Sequence, residues 1–471
     1  MSVSTGLSED RESSLPAAVD LPTAAHSANL ATTYPQLRAA MPYRIAVSPH
    51  AGDGKLDREI QRVQRRISEA ADPRSYLERL GWLYVAKARE SHDQGFYKLA
   101  EQCALALEIA EAKSPPGLLL RGHVLTSFHR FAEAEVIARE LVERRTLPFD
   151  HGLLGDALLE QGRLAEAVNA YQQMIDLRPD LQSYSRVAYT RWLKGDLDGA
   201  IEAARLAAGA ASPLDPESAS WALTRLGIYN FQAGSLTDAQ VSCDAALRYT
   251  ANDPAALLLQ SRLLLLGNRT EEAITALQRA VAINPLPEFQ WALADALRSA
   301  GHDKEAAKVE ESLKSTGAQN DPRTLALFLA TRGDQAELAV ELAQQELQSR
   351  ADIFTHDALA WALAAAGRPE EAWPHMEKAL AEGTIDARLF THAGVLAAKL
   401  GRTTNAQSWL NKARDLQRML LPSEQLQLAA TLNTLSTRRE NGAISAREDQ
   451  IANASSTNKT NVRETNENKS N

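Results

Sequence analysis

The 471-residue sequence predicts an all-α fold, an α-solenoid of about ten helix-turn-helix units. Three observations support this: an alanine recurs at a near-constant interval, a glycine precedes it in most units, and apolar residues recur at helical spacing on both sides of that glycine. The alanines are spaced by 33 or 34 residues with one interval of 39, and they are Ala100, Ala134, Ala167, Ala200, Ala239, Ala273, Ala306, Ala339, Ala372 and Ala406. Because hairpins of this size bury their apolar faces only against neighbouring hairpins, the repeat predicts units stacked in chain order.

The glycine before each alanine predicts the turn between two antiparallel helices. In most units it stands five residues before the alanine, as Gly162 does before Ala167. Glycine adopts the left-handed conformation that commonly ends a helix without a steric cost. Twelve residues before the alanine stands another small residue, such as Gly155, which lets the two helices approach closely. Two interruptions are expected: a longer loop around Pro213–Pro216, and Pro374 inside a second helix.

These units resemble the tetratricopeptide repeat family, and the resemblance covers roughly residues 74–416. The best-matched unit contains Leu154, Gly155, Leu158, Gly162, Ala167, Tyr171 and Pro179, and a second one contains Leu226, Gly227, Gly234, Ala239, Ala246 and Pro254. The resemblance implies a right-handed superhelix whose concave wall is lined by the first helix of each unit. It also implies a role in binding a protein or a peptide.

The resemblance further implies which side chains face the concave groove. In the family, these are the residues three before and one after the small first-helix residue, with others one turn on. Mapped onto this sequence, they include Tyr189, Trp192, Thr224, Phe231, Trp291, Asp295, Arg298, Arg323, Asp357, Trp361, Thr391 and Lys399. Aromatic side chains anchor a peptide and charged ones fix its register. The alternative is that Trp192 and Trp361 pack between adjacent first helices. The lysine–asparagine pair by which some family members clamp a C-terminal carboxylate is absent from these positions.

The ends of the chain differ from the array. Residues 1–54 show no periodic apolar face and predict a disordered leader. Residues 55–73 predict an amphipathic N-terminal capping helix with arginines on its exposed sides; the alternative is a basic docking helix for an acidic partner or a membrane surface. Residues 417–440 predict a C-terminal capping helix with Ser423 as its N-cap. Residues 441–471 predict a disordered polar tail.

Composition and motifs argue against several classes of function. The formal net charge of −9 argues against broad nucleic-acid binding, which needs a dense basic surface. No catalytic, phosphate-binding or metal-binding motif occurs, so we expect a protein without enzymatic activity, cofactor or bound metal. The two cysteines, Cys103 and Cys243, are expected to be inert buried thiols, the alternative being a reactive or metal-bound role. No transmembrane span is predicted. We expect a cytoplasmic protein, or an exported one if a signal lies upstream of the first residue.

The sequence therefore predicts a non-catalytic scaffold or adaptor that binds a peptide segment or a protein partner in the concave groove. Two alternatives stay open. One is a regulatory or substrate-binding subunit of an enzyme complex. The other is a self-assembling structural solenoid, which would form homo-oligomers.

Overall fold

The structure is a computed structural model that describes residues 34–437. Those residues are helical apart from short connections, and no strand occurs among them, which confirms the predicted all-α class. They form two compact units, one ending at Leu120 and the other beginning at Arg121. The predicted polar tail at 441–471, and the part of the predicted leader before residue 34, lie outside the described residues.

The first unit begins with helical residues at 34–39. Its helices are α1 (Met41–Ala46), α2 (Lys55–Glu69), α3 (Arg74–Ser91), α4 (Gly95–Ala110) and the start of α5 (Pro115–Ser127). Helix α2 lies where the N-terminal capping helix is predicted. It buries Ile60, Val63 and Ile67, which are spaced by three and four residues and so share one helical face.

The predicted disordered leader needs a correction over its last part. Residues 34–39 and α1 are helical, and Leu37, Tyr43 and Ala46 are buried. The Arg38 guanidinium donates to the Ala70 carbonyl at 2.7 Å, and the Tyr84 hydroxyl donates to the Ala46 carbonyl at 2.7 Å. Three apolar side chains over ten residues are too sparse to show a helical period. They are nevertheless enough to pack this segment against its own unit.

The second unit continues as helix pairs connected by short turns. Its helices are α6 (Phe131–Arg145), α7 (Pro148–Glu160), α8 (Leu164–Leu177), α9 (Leu181–Leu193), α10 (Leu197–Gly209), α11 (Pro216–Ala233), α12 (Leu236–Tyr249), α13 (Pro254–Leu266), α14 (Thr270–Ile283), α15 (Pro287–Ser299), α16 (Asp303–Asn320), α17 (Pro322–Arg332), α18 (Ala336–Ser349), α19 (Ile353–Ala365), α20 (Pro369–Leu380), α21 (Ala387–Lys399) and α22 (Thr403–Asp415). A 3-10 turn at Gln417–Met419 and a helix over 422–437, α23, follow. From α3 to α22, odd-numbered helices are the first and even-numbered helices the second helices of ten hairpins.

The repeated alanines and glycines take the places that the sequence predicts. All ten alanines lie on second helices and are fully buried, at 0% exposure. A Cβ at Gly155 would overlap the ring of Tyr171, so the small first-helix residue makes room for the partner helix. In two units without glycine at the fifth position before the alanine, His129 and Asn268 adopt the left-handed conformation there, with φ near 56°; before Ala339, Gly333 adopts it one residue earlier. Pro374 lies inside α20.

The C-terminal helix begins differently from the prediction. It starts at residue 422, so Ser423 lies inside it and is not its N-cap. The Glu424 carboxylate accepts a hydrogen bond from the Leu421 backbone N–H at 2.8 Å and so satisfies the start of the helix. Pro422 fits the first helical position, because its fixed φ suits a helix and its missing N–H would have no partner there. Ser423 is thereby free to contact the groove, as described below.

Candidate interaction site

All twelve residues predicted to face the groove lie on first helices of the second unit. Seven of them are buried: Thr224, Phe231, Trp291, Asp295, Asp357, Trp361 and Thr391. Three are partly exposed, namely Tyr189, Trp192 and Arg323, and two are exposed, namely Arg298 and Lys399. Most of these side chains therefore already have contacts within the chain, and those contacts decide how much of the groove is open.

Trp192 joins two distant parts of the second unit. Its ring stacks on Tyr189 at 5.7 Å and on Phe354 of α19 at 5.7 Å, with an angle of 15° between the planes of Trp192 and Phe354. Its indole N–H donates to Gln232 of α11 at 2.7 Å. This tryptophan therefore packs between first helices, which is the alternative that the sequence left open. The family pattern does not mark Phe354, because this residue lies a turn before the marked position at Asp357.

Trp291 is 1% exposed and holds the C-terminal helix in place. Its indole N–H donates to the Ser423 hydroxyl at 3.2 Å, and the Arg388 guanidinium lies 5.3 Å from its ring centroid. The contact with Arg388 is a cation–π interaction, which burial strengthens. Neither Ser423 nor Arg388 was predicted as a site residue, because each meets Trp291 only through the packing of later helices.

Asp295 is the centre of a buried ionic network. Its carboxylate accepts from the Arg332 guanidinium at 2.6 Å and from the Ser423 backbone N–H at 2.9 Å. Burial raises the pKa of Asp295, although both of these contacts lower it. Arg332 also contacts Glu310 at 2.7 Å, and the exposed Arg298 pairs with the same Glu310 at 2.7 Å. Asp295 and Arg298 therefore stabilise neighbouring helices.

Asp357 and Trp361 both contact His392 of the next first helix. The His392 Nδ1 lies 2.8 and 3.0 Å from the two carboxylate oxygens of Asp357. The His392 ring stacks on Trp361 with 4.0 Å between centroids, and the Trp361 indole N–H donates to Thr331 at 3.0 Å. As with Trp192, Trp361 packs between adjacent first helices. The Asp357–His392 pair is buried on both sides, at 2% exposure each.

The remaining predicted residues have structural contacts of their own. Thr391 donates to the Ala387 carbonyl in its own helix at 2.8 Å, and Lys399 donates to the Ala364 carbonyl at 2.9 Å. Phe231 packs in a core cluster with Cys243. Arg323 pairs with Asp352 at 3.0 Å, and the Phe231 carbonyl accepts from Arg418 at 3.0 Å. The buried hydroxyl of Thr224 has no hydrogen-bond partner among the described residues.

A row of contacts connects early first helices to turns much later in the chain; we call it the seam. Carbonyls in the last turns of α7, α9 and α11 lack the N–H donor four residues on that carbonyls inside a helix have, although the Phe231 carbonyl also accepts from the Gly234 N–H at 3.1 Å. Donors from later segments satisfy them: the Ala351 N–H bonds to the Glu160 carbonyl at 3.0 Å, Thr384 to that of Leu193 at 2.6 Å, and Arg418 to those of Phe231 and Gln232 at 3.0 and 2.7 Å. Ion pairs between Arg350 and Glu160 and between Glu382 and Lys194 flank these bonds.

The seam has a constant sequence offset. Its paired residues lie 190, 191 and 187 positions apart at its three places of contact. Each step along the early first helices is therefore matched by one step along the later turns. At Gly162 the two sides touch backbone to backbone: its φ is +75°, and a Cβ there would overlap the carbonyl oxygen of Ala351. Glycine at this turn serves both the left-handed conformation and the close approach.

Next to the seam, a cavity of about 190 Å³ remains between the first helices. It is lined by aromatic, charged and a few aliphatic side chains, namely Arg262, Glu288, Trp291, Asp321, Arg323, Thr324, Leu327, Phe354, Asp357, Asp386, Arg388, Leu389 and Leu421. One water needs roughly 10–15 Å³ of such space, so the cavity has room for a side chain or a chain end. Three of the predicted groove residues, Trp291, Arg323 and Asp357, lie on its wall.

The structure shows no arrangement for metal chemistry. Among residues 34–437, no group of three or more His, Cys, Asp or Glu side chains could hold a metal ion. Cys103 and Cys243 are both buried, as predicted, and burial raises the pKa of both thiols, to about 12 for Cys243. No helix in the described part of the chain is long and apolar enough to cross a membrane.

Comparisons with known proteins agree with the repeat architecture. A family model described as tetratricopeptide repeat matches residues 153–216 and 224–286. No curated protein sequence matches the chain. Similar solved structures include PilF of Pseudomonas aeruginosa, with 17% identity over 43% of this chain and 90% of that one and a TM-score of 0.37. A tetratricopeptide repeat protein from Parabacteroides merdae has 19% identity over 54% and 98%, with a TM-score of 0.31. Yeast Tom70 has 12% identity over 88% and 96%, with a TM-score of 0.35.

At these TM-scores the three structures carry no conclusion about function. The conclusion rests on the family match and on the repeat itself, with ten hairpins and a fully buried alanine at the same place in each. Residues 153–216 and 224–286 match the tetratricopeptide repeat family, and the chain is, in broad terms, a protein-interaction scaffold.

Proposed function

We propose that the chain is a non-catalytic scaffold that holds a peptide segment or a protein partner in the cavity between its first helices. The observation that supports this most is the lining of that cavity. It combines the aromatic rings of Trp291 and Phe354 with guanidinium and carboxylate groups. Aromatic anchors beside charged groups are typical of places where binding energy concentrates in protein interfaces.

The seam limits the form of the partner. Trp192 and Phe354 stack on each other where an extended peptide would cross the early first helices. A peptide laid along the whole groove would have to break that stack and the hydrogen bonds of the seam. The proposed partner therefore inserts a short segment, of one or a few side chains, into the cavity beside the seam.

Affinity capture from the native cell, followed by mass spectrometry, tests this proposal. Glu288 is exposed and lines the cavity, so Glu288→Trp places an indole at its rim without disturbing buried groups. The matched control is Glu305→Trp, since Glu305 is also an exposed glutamate in the first turn of a helix but does not line the cavity. We expect a partner that the wild type and the control retain and that Glu288→Trp loses.

Two results would contradict the proposal. If every partner of the wild type stays bound to Glu288→Trp, the cavity is not the binding surface. If both variants lose the same partner equally, the loss does not come from the cavity. Circular dichroism of both variants checks that each keeps the helix content of the wild type.

A further inference from the structure

The ionic groups that line the cavity differ in whether they have a hydrogen-bond or ion-pair partner within the chain. Four of them are carboxylates, and three of these have partners within the chain. Asp321 accepts from the Thr324 backbone N–H at 3.0 Å and from its hydroxyl at 2.6 Å. Asp386 accepts from the first N–H groups of α21 at 2.8 and 3.0 Å, and Asp357 accepts from His392 at 2.8 Å. The fourth, Glu288, is exposed and therefore hydrated.

Of the three guanidinium groups on the cavity wall, two are paired. Arg323 contacts Asp352 at 3.0 Å, and Arg388 contacts Glu424 at 2.5 Å. The third, Arg262, is partly buried and forms no ion pair with any carboxylate of residues 34–437. Its hydrogen bond goes to a neutral acceptor, the Met419 carbonyl, at 3.1 Å. A guanidinium carries five N–H donors, so one bond to a carbonyl leaves most of them without a partner.

We propose that the cavity binds a carboxylate group, with Arg262 as its counter-ion. This rests on the proposed function, because the carboxylate is the part of the bound partner that enters the cavity. A charged donor removed from bulk water gains most from an ionised acceptor, and a planar guanidinium matches a carboxylate with two parallel hydrogen bonds.

The surroundings favour a carboxylate over a larger or more highly charged anion. Glu288 and Asp386 add negative charge near Arg262, while Arg388 adds positive charge. A single negative charge balances the one guanidinium that lacks an ionic partner. A phosphate dianion would bring a second charge into a wall that already holds four carboxylates, and like charges repel strongly in a partly dry site. The volume of about 190 Å³ also suits a short acidic side chain or a small organic acid.

Ligand-detected NMR titrations of the full chain test the assignment with defined probes. The probes are the capped peptide acetyl-Gly-Glu-Gly-amide, the same peptide with Gln in place of Glu, and free glutarate. Arg262→Gln removes the charge and keeps an amide that can donate to the Met419 carbonyl. The matched control is Arg279→Gln, because Arg279 also donates to a backbone carbonyl, that of Ala251 at 2.8 Å, but on an exposed surface.

We expect the wild type and Arg279→Gln to bind the Glu peptide at least 10-fold more tightly than the Gln peptide. Arg262→Gln is expected to lose that preference, and Arg262→Lys, which restores the charge, to recover part of it. Glutarate binding as tight as that of the Glu peptide assigns the site to a free acid; weaker glutarate binding assigns it to a partner chain. Thermal unfolding of the variants checks that they fold.

The assignment is overturned if the Glu peptide does not bind, if the Gln peptide binds equally well, or if Arg262→Gln binds both peptides as the wild type does. None of these outcomes touches the proposed function, because Glu288→Trp blocks the cavity by volume and the captured partner need not carry a carboxylate. Conversely, if Glu288→Trp retains every partner while glutarate binding depends on Arg262, the cavity binds a small acid and the scaffold proposal is the one that fails.

Discussion

Substitution of Gly162 by alanine tests whether the seam stabilises the second unit. Gly162 has φ of +75°, and an added Cβ would overlap the carbonyl oxygen of Ala351. Since that atom belongs to the backbone, the two segments must move apart. The hydrogen bond from the Ala351 N–H to the Glu160 carbonyl at 3.0 Å spans the same contact, and we expect it to break together with the ion pair between Arg350 and Glu160.

The expected cost has three parts. A residue other than glycine in the left-handed conformation costs about 1–2 kcal/mol. The lost hydrogen bond costs about 0.5–1.5 kcal/mol. The ion pair is mostly buried, at 17% and 24% exposure of its side chains, and adds up to about 1 kcal/mol. Gly162→Ala should therefore lower the free energy of unfolding by about 1.5–4.5 kcal/mol.

Gly367→Ala is the matched control. Gly367 also ends a first helix, with φ of +76°, but nothing lies within 4 Å of the place a Cβ would take. Gly367→Ala therefore carries only the conformational cost, about 1–2 kcal/mol. Urea denaturation gives the difference between the two variants. Amide hydrogen exchange at Ala351 shows whether the seam has opened, and we expect faster exchange in Gly162→Ala only.

The reasoning fails if both variants lose the same stability and the Ala351 amide stays protected in each. That result would mean that the backbone contact at Gly162 relaxes without cost, and that the seam contributes nothing to the folded state.

Three further predictions concern buried groups. The Cys243 thiol, whose pKa burial raises to about 12, should react with iodoacetamide at pH 8 on the order of 1000-fold more slowly in the folded chain than in urea. The pKa of Asp57 is lowered to about 2, chiefly by the hydrogen bond from His50. The carboxylate therefore contributes about 2 kcal/mol to the free energy of unfolding above pH 4, and this contribution is lost as the pH falls from about 4 to about 2. Asp57→Asn should flatten this part of the pH profile of stability, measured by urea denaturation. Asp357→Asn, which removes the ionised partner of His392, should lower the free energy of unfolding by about 1.5–3 kcal/mol, whereas an unchanged denaturation midpoint would show that the pair is not charge-assisted.

The sequence predicts the local features of the fold well because they depend on neighbouring residues. A buried alanine and a turn residue with positive φ recur in each hairpin, and the constraint on each comes from within about 20 residues. The helices before residue 47 were missed for the opposite reason. Leu37, Tyr43 and Ala46 are buried within the first unit, where α1 lies against α4, and three apolar residues carry no period that the sequence alone would show.

The candidate site could be predicted only in part. The family pattern correctly assigns residues such as Trp291 and Asp357 to first helices, because that assignment follows from position within a repeat. It does not identify Phe354, which meets Trp192, or Arg388 and Ser423, which meet Trp291, because these contacts arise from the path of the whole second unit. The seam joins residues about 190 positions apart because each hairpin is shifted and rotated by a set amount relative to the one before it. No single residue in the sequence determines that shift and rotation.

The constant offset of the seam has a consequence for how this chain tolerates change in length. In an open stack, adding a hairpin lengthens the array and removing one shortens it, and the other interfaces stay intact. Here, deletion or duplication of one 33-residue unit between Gln232 and Arg350 would bring each early helix end opposite the wrong later turn, so that the donors at Ala351, Thr384 and Arg418 would miss their carbonyls. The number of repeats between the two sides of the seam is therefore fixed by geometry, while units before Glu160 or after Arg418 are freer to vary.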